Sequence, residues 1–376
     1  MTAAERDPWL LTPGPLTTTA ETKKAMLRDW GSRDEEFNET NARVRRRLLA
    51  IAGAQDSHVC VTLQGSGTFI VEATMATLIP RDGKSLVLIN GAYGKRMAKI
   101  LDYLGRSYVS QETPEDTPCD AGTLDSALAT DPAITHVLVV HCETTSGLLN
   151  PVEAIAAVTA KHRRGLIIDS MSTFGALPLD VKSVPCDALM ASTNKCLEGV
   201  PGMGFALIRR AAIEPAKGNA HSLSLDLYDQ WTAMEKTRQW RFTPPTHVIA
   251  AFDKALDQFD TEGGVKGRGG RYASNCRILV DGMREMGFKT LLPDEIQAPI
   301  IVTFLTPADA RFDFQVFYDS LKNRGYVIYP GKLTVADSFR IGCIGALSET
   351  EIRGALDAVR ATIAEMGVAD RAPGNS

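Results

Sequence analysis

The chain has 376 residues, of which 44% are hydrophobic and 23% are charged, and its net charge at neutral pH is −4. This composition is typical of globular proteins, and it lacks the basic bias of proteins that bind nucleic acids or membrane surfaces. No apolar run reaches the roughly 20 residues that cross a bilayer, and no signal-peptide core follows Met1–Asp7. We therefore expect two domains, a cytoplasmic location and no contact with membranes.

Short apolar segments alternate with helical patterns in the first part of the chain. Strands are predicted at Val59–Leu63, Ser85–Ile89, His136–His141, Leu166–Asp169, Ala188–Ala191 and Phe205–Ile208. Helices are predicted at Glu36–Ile51, Thr68–Leu78, Gly94–Leu104 and Pro151–His162. Because the strand segments are apolar throughout, both faces of their sheet should be covered. The alternation predicts a large α/β domain with a mainly parallel sheet at residues 20–262.

The second part of the chain begins with Gly263–Gly270, a segment rich in glycine and basic residues. We interpret it as a bend into another domain, because no strand precedes it; a phosphate-binding loop is the alternative. After it, helices are predicted at Tyr272–Met286 and Glu349–Met366, with strands near Ile300–Phe304 and Ser338–Ile341. This pattern predicts a smaller α+β domain at 263–370, joined by 1–19, and a disordered tail at 371–376.

The seven cysteines are widely spaced and contain no CxxC pair, which argues against a disulfide framework or a metal site. Two ionisable residues instead follow predicted strands, where open α/β sheets bind ligands. Asp169 ends one strand, and Lys195 lies in a loop with glycine and proline on its carboxyl side. A buried lysine becomes nucleophilic, and pyridoxal phosphate (PLP) chemistry uses a Schiff-base lysine with an aspartate on the ring nitrogen. A solvated lysine and an ordinary strand-end aspartate are the alternatives.

A third segment supplies a candidate phosphate site. The strand that ends near Leu63 is followed by a turn of small residues and then by a helix. Backbone N–H groups at a helix start bind phosphate well, and hydroxyl groups add donors. Ser66, Gly67 and Thr68 are therefore predicted to bind the cofactor phosphate, with an ordinary tight turn as the alternative.

The segments Gln64–Thr68, Asp169–Ser172 and Ser192–Lys195 together resemble the class V aminotransferases, which are PLP-dependent transferases of fold type I. Further similar segments are Leu10–Thr17, Asp29–Asp34, Asn90–Gly94, Phe242–Thr246 and Phe339–Gly342. The resemblance extends over about residues 8 to 368, and it implies a seven-stranded-type sheet, a smaller C-terminal domain and a homodimer with shared active sites. Within the family the sequence looks most like the transaminases that use 2-aminoethylphosphonate and pyruvate, which implies phosphonoacetaldehyde and L-alanine as products.

The resemblance also implies roles for single residues around the cofactor. Tyr93 would stack on its ring, and Thr145 would bond near its hydroxyl group. Ser192 and Thr193 would add contacts to its phosphate. Thr243 would reach the phosphate in the neighbouring subunit, so that each active site would need both chains.

The substrate side follows from the same resemblance. Arg340 would bind the phosphonate or carboxylate, which suits its planar guanidinium group, and Thr17 would line the same pocket. Another class V aminotransferase, acting on alanine and glyoxylate or on serine and pyruvate, is the nearest alternative. A PLP lyase or a catalytically inert PLP-fold protein is a further alternative. Cys343 could indicate a lyase nucleophile, but its place directly after the Arg340 strand argues against that role.

Overall fold

The computed structural model describes residues 7–334 and 336–374. Its strands are β1 Trp9–Leu10, β2 His58–Gly65, β3 Lys84–Ile89, β4 Ser107–Glu112, β5 Ile134–Val140, β6 Cys142–Glu143, β7 Leu148–Leu149, β8 Gly165–Asp169, β9 Ala188–Ser192, β10 Gly202–Arg209, β11 Ile301–Leu305, β12 Tyr326–Val327, β13 Tyr329–Pro330 and β14 Ser338–Gly342. Its α-helices are α1 Ala20–Lys24, α2 Glu35–Ile51, α3 Gly67–Leu78, α4 Ala92–Leu104, α5 Ala121–Thr130, α6 Val152–Lys161, α7 Arg210–Ile213, α8 Leu227–Thr237, α9 Thr246–Thr261, α10 Gly264–Glu285, α11 Phe314–Asn323 and α12 Glu349–Glu365.

A seven-stranded sheet with the order β2-β10-β9-β8-β5-β3-β4 forms the centre of the fold. Every pairing in it is parallel except those of β10, which runs antiparallel to β2 and β9. The predicted α/β class and mainly parallel sheet are confirmed, and each predicted strand of the first part corresponds to a strand of this sheet, with His141 one residue beyond the end of β5. The sequence analysis missed β4, because this edge strand is mostly exposed and has no apolar run.

Helices cover both faces of the sheet. One face packs against α2, α5, α6 and α9 through side chains such as Leu48, Ile155 and Phe252. The other face packs against α3, α4 and α8, with Ile70 and Leu227 among the buried residues. Each such side chain contributes about 1.5–3 kcal/mol when it is fully buried. These two cores fix the carboxyl ends of the parallel strands along one edge of the sheet.

The C-terminal part has its own sheet, with the order β11-β14-β13, beside the short parallel pair β1-β12. Phe339 of β14 lies at the centre of an aromatic cluster, with ring contacts to Phe288, Phe304 and Phe317. Because β1 pairs with β12, the N-terminal segment begins in the C-terminal part of the fold and crosses from there to the large sheet. The predicted division into domains at 262 and 263 stays a prediction.

The glycine-rich segment differs from the predicted bend, because α10 begins at Gly264 and continues through it. A Cβ atom at Gly269 would lie 2.1 Å from the backbone oxygen of Ala176. The glycine therefore lets the helix approach the large domain more closely than an alanine would allow.

The end of the chain also differs from the prediction of a disordered tail. The Ala308 N–H donates to the carbonyl of Ala372, and Pro307 pairs with Pro373 in a β-bridge, so backbone pairing holds residues 371–374. Residues 375–376 of that tail lie outside the described residues, as do residues 1–6 of the predicted N-terminal connection. Among the described residues, no helix combines the length and apolarity that are needed to cross a membrane.

Candidate active site

A cavity of about 290 Å³ lies at the edge of the sheet where the parallel strands end. The predicted site residues that line it are Ser66, Gly67, Thr68, Tyr93, Asp169, Ser192 and Lys195. They come from the ends of β2, β8 and β9, from the starts of α3 and α4, and from the loop between β9 and β10. The topology therefore brings together the three segments that carried the sequence-based hypothesis.

Lys195 lies in the loop that connects β9 to the antiparallel β10. Its Nζ donates a hydrogen bond of 2.6 Å to the carbonyl of Pro13 in the N-terminal segment. Burial lowers the pKa of Lys195 to about 8, although the thiol of Cys196 and the carboxylate of Asp169 oppose the shift. Gly14 has a φ of +113°, and a Cβ atom there would lie 2.8 Å from Nζ. The lysine is thus a poorly solvated amine that readily loses its proton.

Asp169 is the last residue of β8 and is buried at the base of the cavity. Its Oδ1 accepts a hydrogen bond of 2.9 Å from the Met171 N–H. Burial raises the pKa of Asp169 to about 6, and the negative charge of Glu143 adds to this effect. A cation placed beside this carboxylate would lower its pKa again. The position therefore fits a partner that carries a proton on a ring nitrogen.

The turn before α3 has the features of a phosphate site. Ser66 is the N-cap residue of α3, and its side chain makes no capping hydrogen bond. The hydroxyl oxygen of Ser192 is buried in the same cavity and has no hydrogen-bond partner among the described residues. The helix start and this unpaired hydroxyl supply donors that a phosphate dianion would satisfy. The residues present therefore fit PLP.

Glu143 is a site residue that the sequence analysis missed. It is fully buried, and its carboxylate accepts hydrogen bonds from the Tyr93 N–H at 3.0 Å and from the Thr145 hydroxyl at 2.7 Å. Burial raises the pKa of Glu143. A Cβ atom at Gly91 would lie 2.3 Å from its Cγ, so a glycine is required beside it. Thr145 therefore binds Glu143 and is not among the cavity-lining residues, whereas Tyr93 is held over the cavity.

Two cations near Tyr93 were also missed. Arg96 donates a 3.1 Å hydrogen bond to the Thr68 hydroxyl, and its guanidinium carbon lies 4.9 Å from the centre of the Tyr93 ring. The Nζ of Lys332 lies 5.0 Å from the same ring centre. The spacing of Tyr93 and Arg96 on one helix face was a usable signal for Arg96. Nothing in the local sequence of Lys332 indicated its place.

Arg340 lies on β14 and is almost completely buried. Its Nε donates to the Pro330 carbonyl at 3.0 Å, and one terminal nitrogen donates to the Thr144 carbonyl at 2.8 Å. Burial lowers the pKa of Arg340, and no carboxylate forms an ion pair with it among the described residues. It is not among the residues that line the cavity, but it approaches the cavity from the C-terminal part of the chain.

Three other predicted residues lie away from the cavity. The Thr17 hydroxyl accepts a 2.8 Å hydrogen bond from the Leu10 N–H, so it stabilises the N-terminal segment. Thr243 is exposed in the turn before α9, outside the cavity of its own chain. The Thr193 hydroxyl donates to the Val200 carbonyl at 2.5 Å, which closes the Lys195 loop.

The cysteines carry none of the site chemistry seen here. All seven are buried and reduced. A hydrogen bond with Cys276, together with burial, raises the pKa of the Cys343 thiol well above its ordinary value. A buried thiol of this kind is a poor nucleophile. Cys343 is therefore a packing residue behind Arg340.

Comparisons with known proteins identify the family of the chain. The family model described as Aminotransferase class-V matches residues 24–315. Two proteins named 2-aminoethylphosphonate--pyruvate transaminase, from Pseudomonas putida and Cupriavidus pinatubonensis, are each 56% identical to this chain. Both alignments cover 96% of this chain, and they cover 99% and 96% of those proteins.

Solved structures of aminotransferases share the fold. A pyridoxamine-pyruvate aminotransferase from Mesorhizobium loti aligns with a TM-score of 0.87 and 26% identity over 97% of this chain and 94% of its own. An alanine–glyoxylate aminotransferase from Nostoc sp. aligns with a TM-score of 0.89 and 21% identity over 95% of this chain and 96% of its own. The predicted fold type I is confirmed. The chain belongs to the class V aminotransferase family.

Proposed function

We propose that this protein is a PLP-dependent aminotransferase that moves the amino group of 2-aminoethylphosphonate to pyruvate, with phosphonoacetaldehyde and L-alanine as products. The observation that carries the proposal is a single cavity in which the amine of Lys195 and the carboxylate of Asp169 lie beside a phosphate site. The 56% identity to transaminases of that name supports the choice of substrates.

PLP, when bound, supplies an aldehyde that accepts the amino group and a ring that withdraws electrons. Lys195 would hold the cofactor through Nζ. The same Nζ amine would serve as the base that accepts the proton from the substrate carbon bearing the nitrogen and as the acid that donates it again. A pKa of about 8 leaves part of this amine deprotonated near neutral pH, as a base of this kind requires.

The other residues bind and orient the reactants. Asp169 keeps the ring nitrogen protonated, and Tyr93 stacks on the ring. The phosphate is held by Ser66, Gly67, Thr68 and Ser192, and Thr145 acts near the cofactor hydroxyl through its contact with Glu143. Arg340 binds the acidic end of the substrate, and Thr17 supports the segment that faces it.

We also propose that the active enzyme is a homodimer. Thr243 is exposed and lies outside the cavity of its own chain, so it is free to reach the cofactor phosphate of a neighbouring subunit. The predicted cytoplasmic location stays a prediction.

The test follows the cofactor by its absorption. Protein loaded with PLP should show the near-visible band of a lysine-bound cofactor, and the Lys195→Ala variant should lack it. We expect 2-aminoethylphosphonate to remove the band and pyruvate to restore it, with phosphonoacetaldehyde detected as the product. Conversion by alanine or serine alone would leave an aminotransferase but contradict the phosphonate substrate. Release of product without any keto acid would indicate a lyase.

A further inference from the structure

Three cations surround Tyr93 at the mouth of the cavity. Arg96 and Lys332 lie 4.9 Å and 5.0 Å from the centre of its ring, and Arg340 comes from the neighbouring strand β14. Within the described residues, none of the three forms an ion pair, and Glu143 is the carboxylate that acts on Lys332 and Arg340. The acidic group among them is Glu143, a single carboxylate that accepts hydrogen bonds from the Tyr93 N–H and from Thr145. The mouth of the cavity therefore carries an excess of positive charge.

The three cations divide between cofactor and substrate by their contacts. Arg96 is bonded to the hydroxyl of Thr68, in the phosphate turn, so it faces the cofactor phosphate. Lys332 and Arg340 belong to the C-terminal part of the chain and do not contact the phosphate turn in the hydrogen bonds of the described residues. Arg340 donates to the carbonyl of Pro330, two residues before Lys332, so the two cations lie on neighbouring segments. Burial lowers the pKa of Lys332, and the positive charges of Arg96 and Arg340 lower it further.

The single positive charge of Arg340, without a second cation beside it, would balance only one negative charge on a substrate. Two backbone carbonyls orient its guanidinium group and leave one terminal nitrogen without a hydrogen bond among the described residues. A carboxylate or a sulfonate carries one charge. A phosphonate resembles a phosphate group, which carries a charge of about −1.5 to −2 near neutral pH and has three acceptor oxygens. A second cation beside Arg340 therefore distinguishes these acids by charge.

We infer that Lys332 is a specificity-determining residue, which binds the second negative charge of a dianionic phosphonate beside Arg340. This inference rests on the proposed function and extends it from a reaction to a substrate class. Lys332 contributes little to the binding of alanine or pyruvate, because Arg340 already neutralises a carboxylate.

The experiment compares two amines of the same shape and different charge. 2-Aminoethylphosphonate and taurine, its sulfonate counterpart, are tested as amino donors with the holoenzyme, and L-alanine serves as the carboxylate substrate. We expect Lys332→Met to lower kcat/KM for the phosphonate by about tenfold or more. The kcat/KM values for taurine and alanine should stay within about threefold of those of the wild type. Lys332→Arg should restore most of the phosphonate activity. Lys217→Met, which removes an exposed lysine outside the cavity, is the matched control and should leave kcat/KM unchanged for all three amines.

A binding measurement separates this inference from the proposed function. Calorimetry on the holoenzyme with ethylphosphonate and ethanesulfonate, which cannot react, should show a preference for the phosphonate that Lys332→Met removes. If the wild type does not convert 2-aminoethylphosphonate, the proposed function fails, while the binding preference still tests Lys332. An equal loss for all acids in a folded Lys332→Met variant, or no loss for the phosphonate, would overturn the inference.

Discussion

Lys195 and Asp169 show how burial alone prepares two groups for opposite tasks. Burial penalises the charged form of each, so the pKa of Lys195 falls to about 8 and the pKa of Asp169 rises to about 6. In the cofactor-free protein, burial of each ionisable group lowers the free energy of unfolding. A ligand that binds Nζ covalently and places a cation beside Asp169 would remove both of these unfavourable contributions. The site is therefore prepared for one particular ligand at the expense of stability without it.

A pH dependence follows from Lys195. In the unfolded chain this lysine keeps its proton up to its ordinary pKa of 10.5, whereas in the folded chain it loses the proton near pH 8. Between these pH values the unfolded state binds more protons, so the stability of the cofactor-free protein rises with pH. We expect a gain of at most about 3 kcal/mol between pH 8 and 10.5. Urea unfolding of the wild type and of Lys195→Met, compared across this range, isolates the effect. Parallel curves for the two proteins would contradict it.

Ser192 should have opposite effects on the free and the loaded protein. Its buried hydroxyl has no partner in the described chain, so Ser192→Ala should stabilise the cofactor-free protein by about 1 kcal/mol. The same change should weaken PLP binding by about tenfold, because a phosphate donor is lost. Thermal unfolding of the free protein and a PLP titration measure the two effects. Ser85→Ala removes another unpaired buried hydroxyl, outside the cavity, and should stabilise the protein without changing PLP affinity.

At the scale of elements, α10 shows tertiary contact overriding local sequence. Its first turns contain Gly264, Gly267, Gly269 and Gly270, each of which weakens a helix. The helix forms because it packs closely on the large domain. Arg268 fixes it there by donating a 2.6 Å hydrogen bond to the carbonyl of Cys196, the residue after Lys195. The helix thus supports the loop that contains Lys195.

Two adjacent glycines of α10 test this view. At Gly269 a Cβ atom would meet the Ala176 carbonyl at 2.1 Å, whereas at Gly270 it would meet nothing within 4 Å. Gly269→Ala should therefore destabilise the protein by about 1–3 kcal/mol, since backbone must move. Gly270→Ala should stabilise it by up to about 1 kcal/mol, since alanine favours the helix. Chemical unfolding of both variants measures the difference. The same sign for both would show that helix propensity, and not close packing, governs this segment.

The sequence predicted the elements that carry strong local signals. The central strands are apolar throughout, so the sheet could be predicted. Asp169, Lys195 and the turn at Ser66 lie at or just after the ends of these strands, so the central residues of the candidate site could be predicted as well. The edge strand β4 could not, because its residues are exposed. Lys332 and Glu143 act through contacts between distant segments, which periodicity does not reveal. For the same reason the contact of Thr145 with Glu143 could not be predicted, and its role near the cofactor stays a prediction.

At the scale of the whole molecule, a network of ions around the buried Glu198 joins the two parts of the chain. Arg271 donates to Glu198 at 2.8 Å, close to Lys195, and to the Gly345 carbonyl at 2.6 Å, close to the Arg340 strand. Glu262 binds the same arginine at 2.7 Å. The loop of Lys195 and the strand of Arg340, which we propose to hold the cofactor and the substrate, are therefore connected through one cluster.

The proposed dimer can be tested by mixing defective subunits. One variant, Lys195→Ala, lacks the amine in its own active site. The other variant, Thr243→Ala, lacks the hydroxyl that it would contribute to the phosphate site of the neighbouring subunit. A mixed dimer contains one site with both groups intact, so co-expression should give more activity and tighter PLP binding than either variant alone. Activity equal to the sum of the separate variants would place Thr243 outside the neighbouring site. A sedimentation measurement confirms that mixed dimers have formed.

The reversed direction of β10 has a consequence for how relatives of this protein can differ. Because β10 runs back beside β9, residues 193–201 leave and re-enter the same edge of the sheet. The segment is closed at both ends by hydrogen bonds, such as that from the Thr193 N–H to the Met203 carbonyl at 3.1 Å. An inserted residue would displace Nζ from the cavity, whereas the connection that follows the edge strand β4 is largely exposed and can lengthen. Relatives of this protein can therefore differ in length after β4, but the short span that bears the lysine has to keep its length.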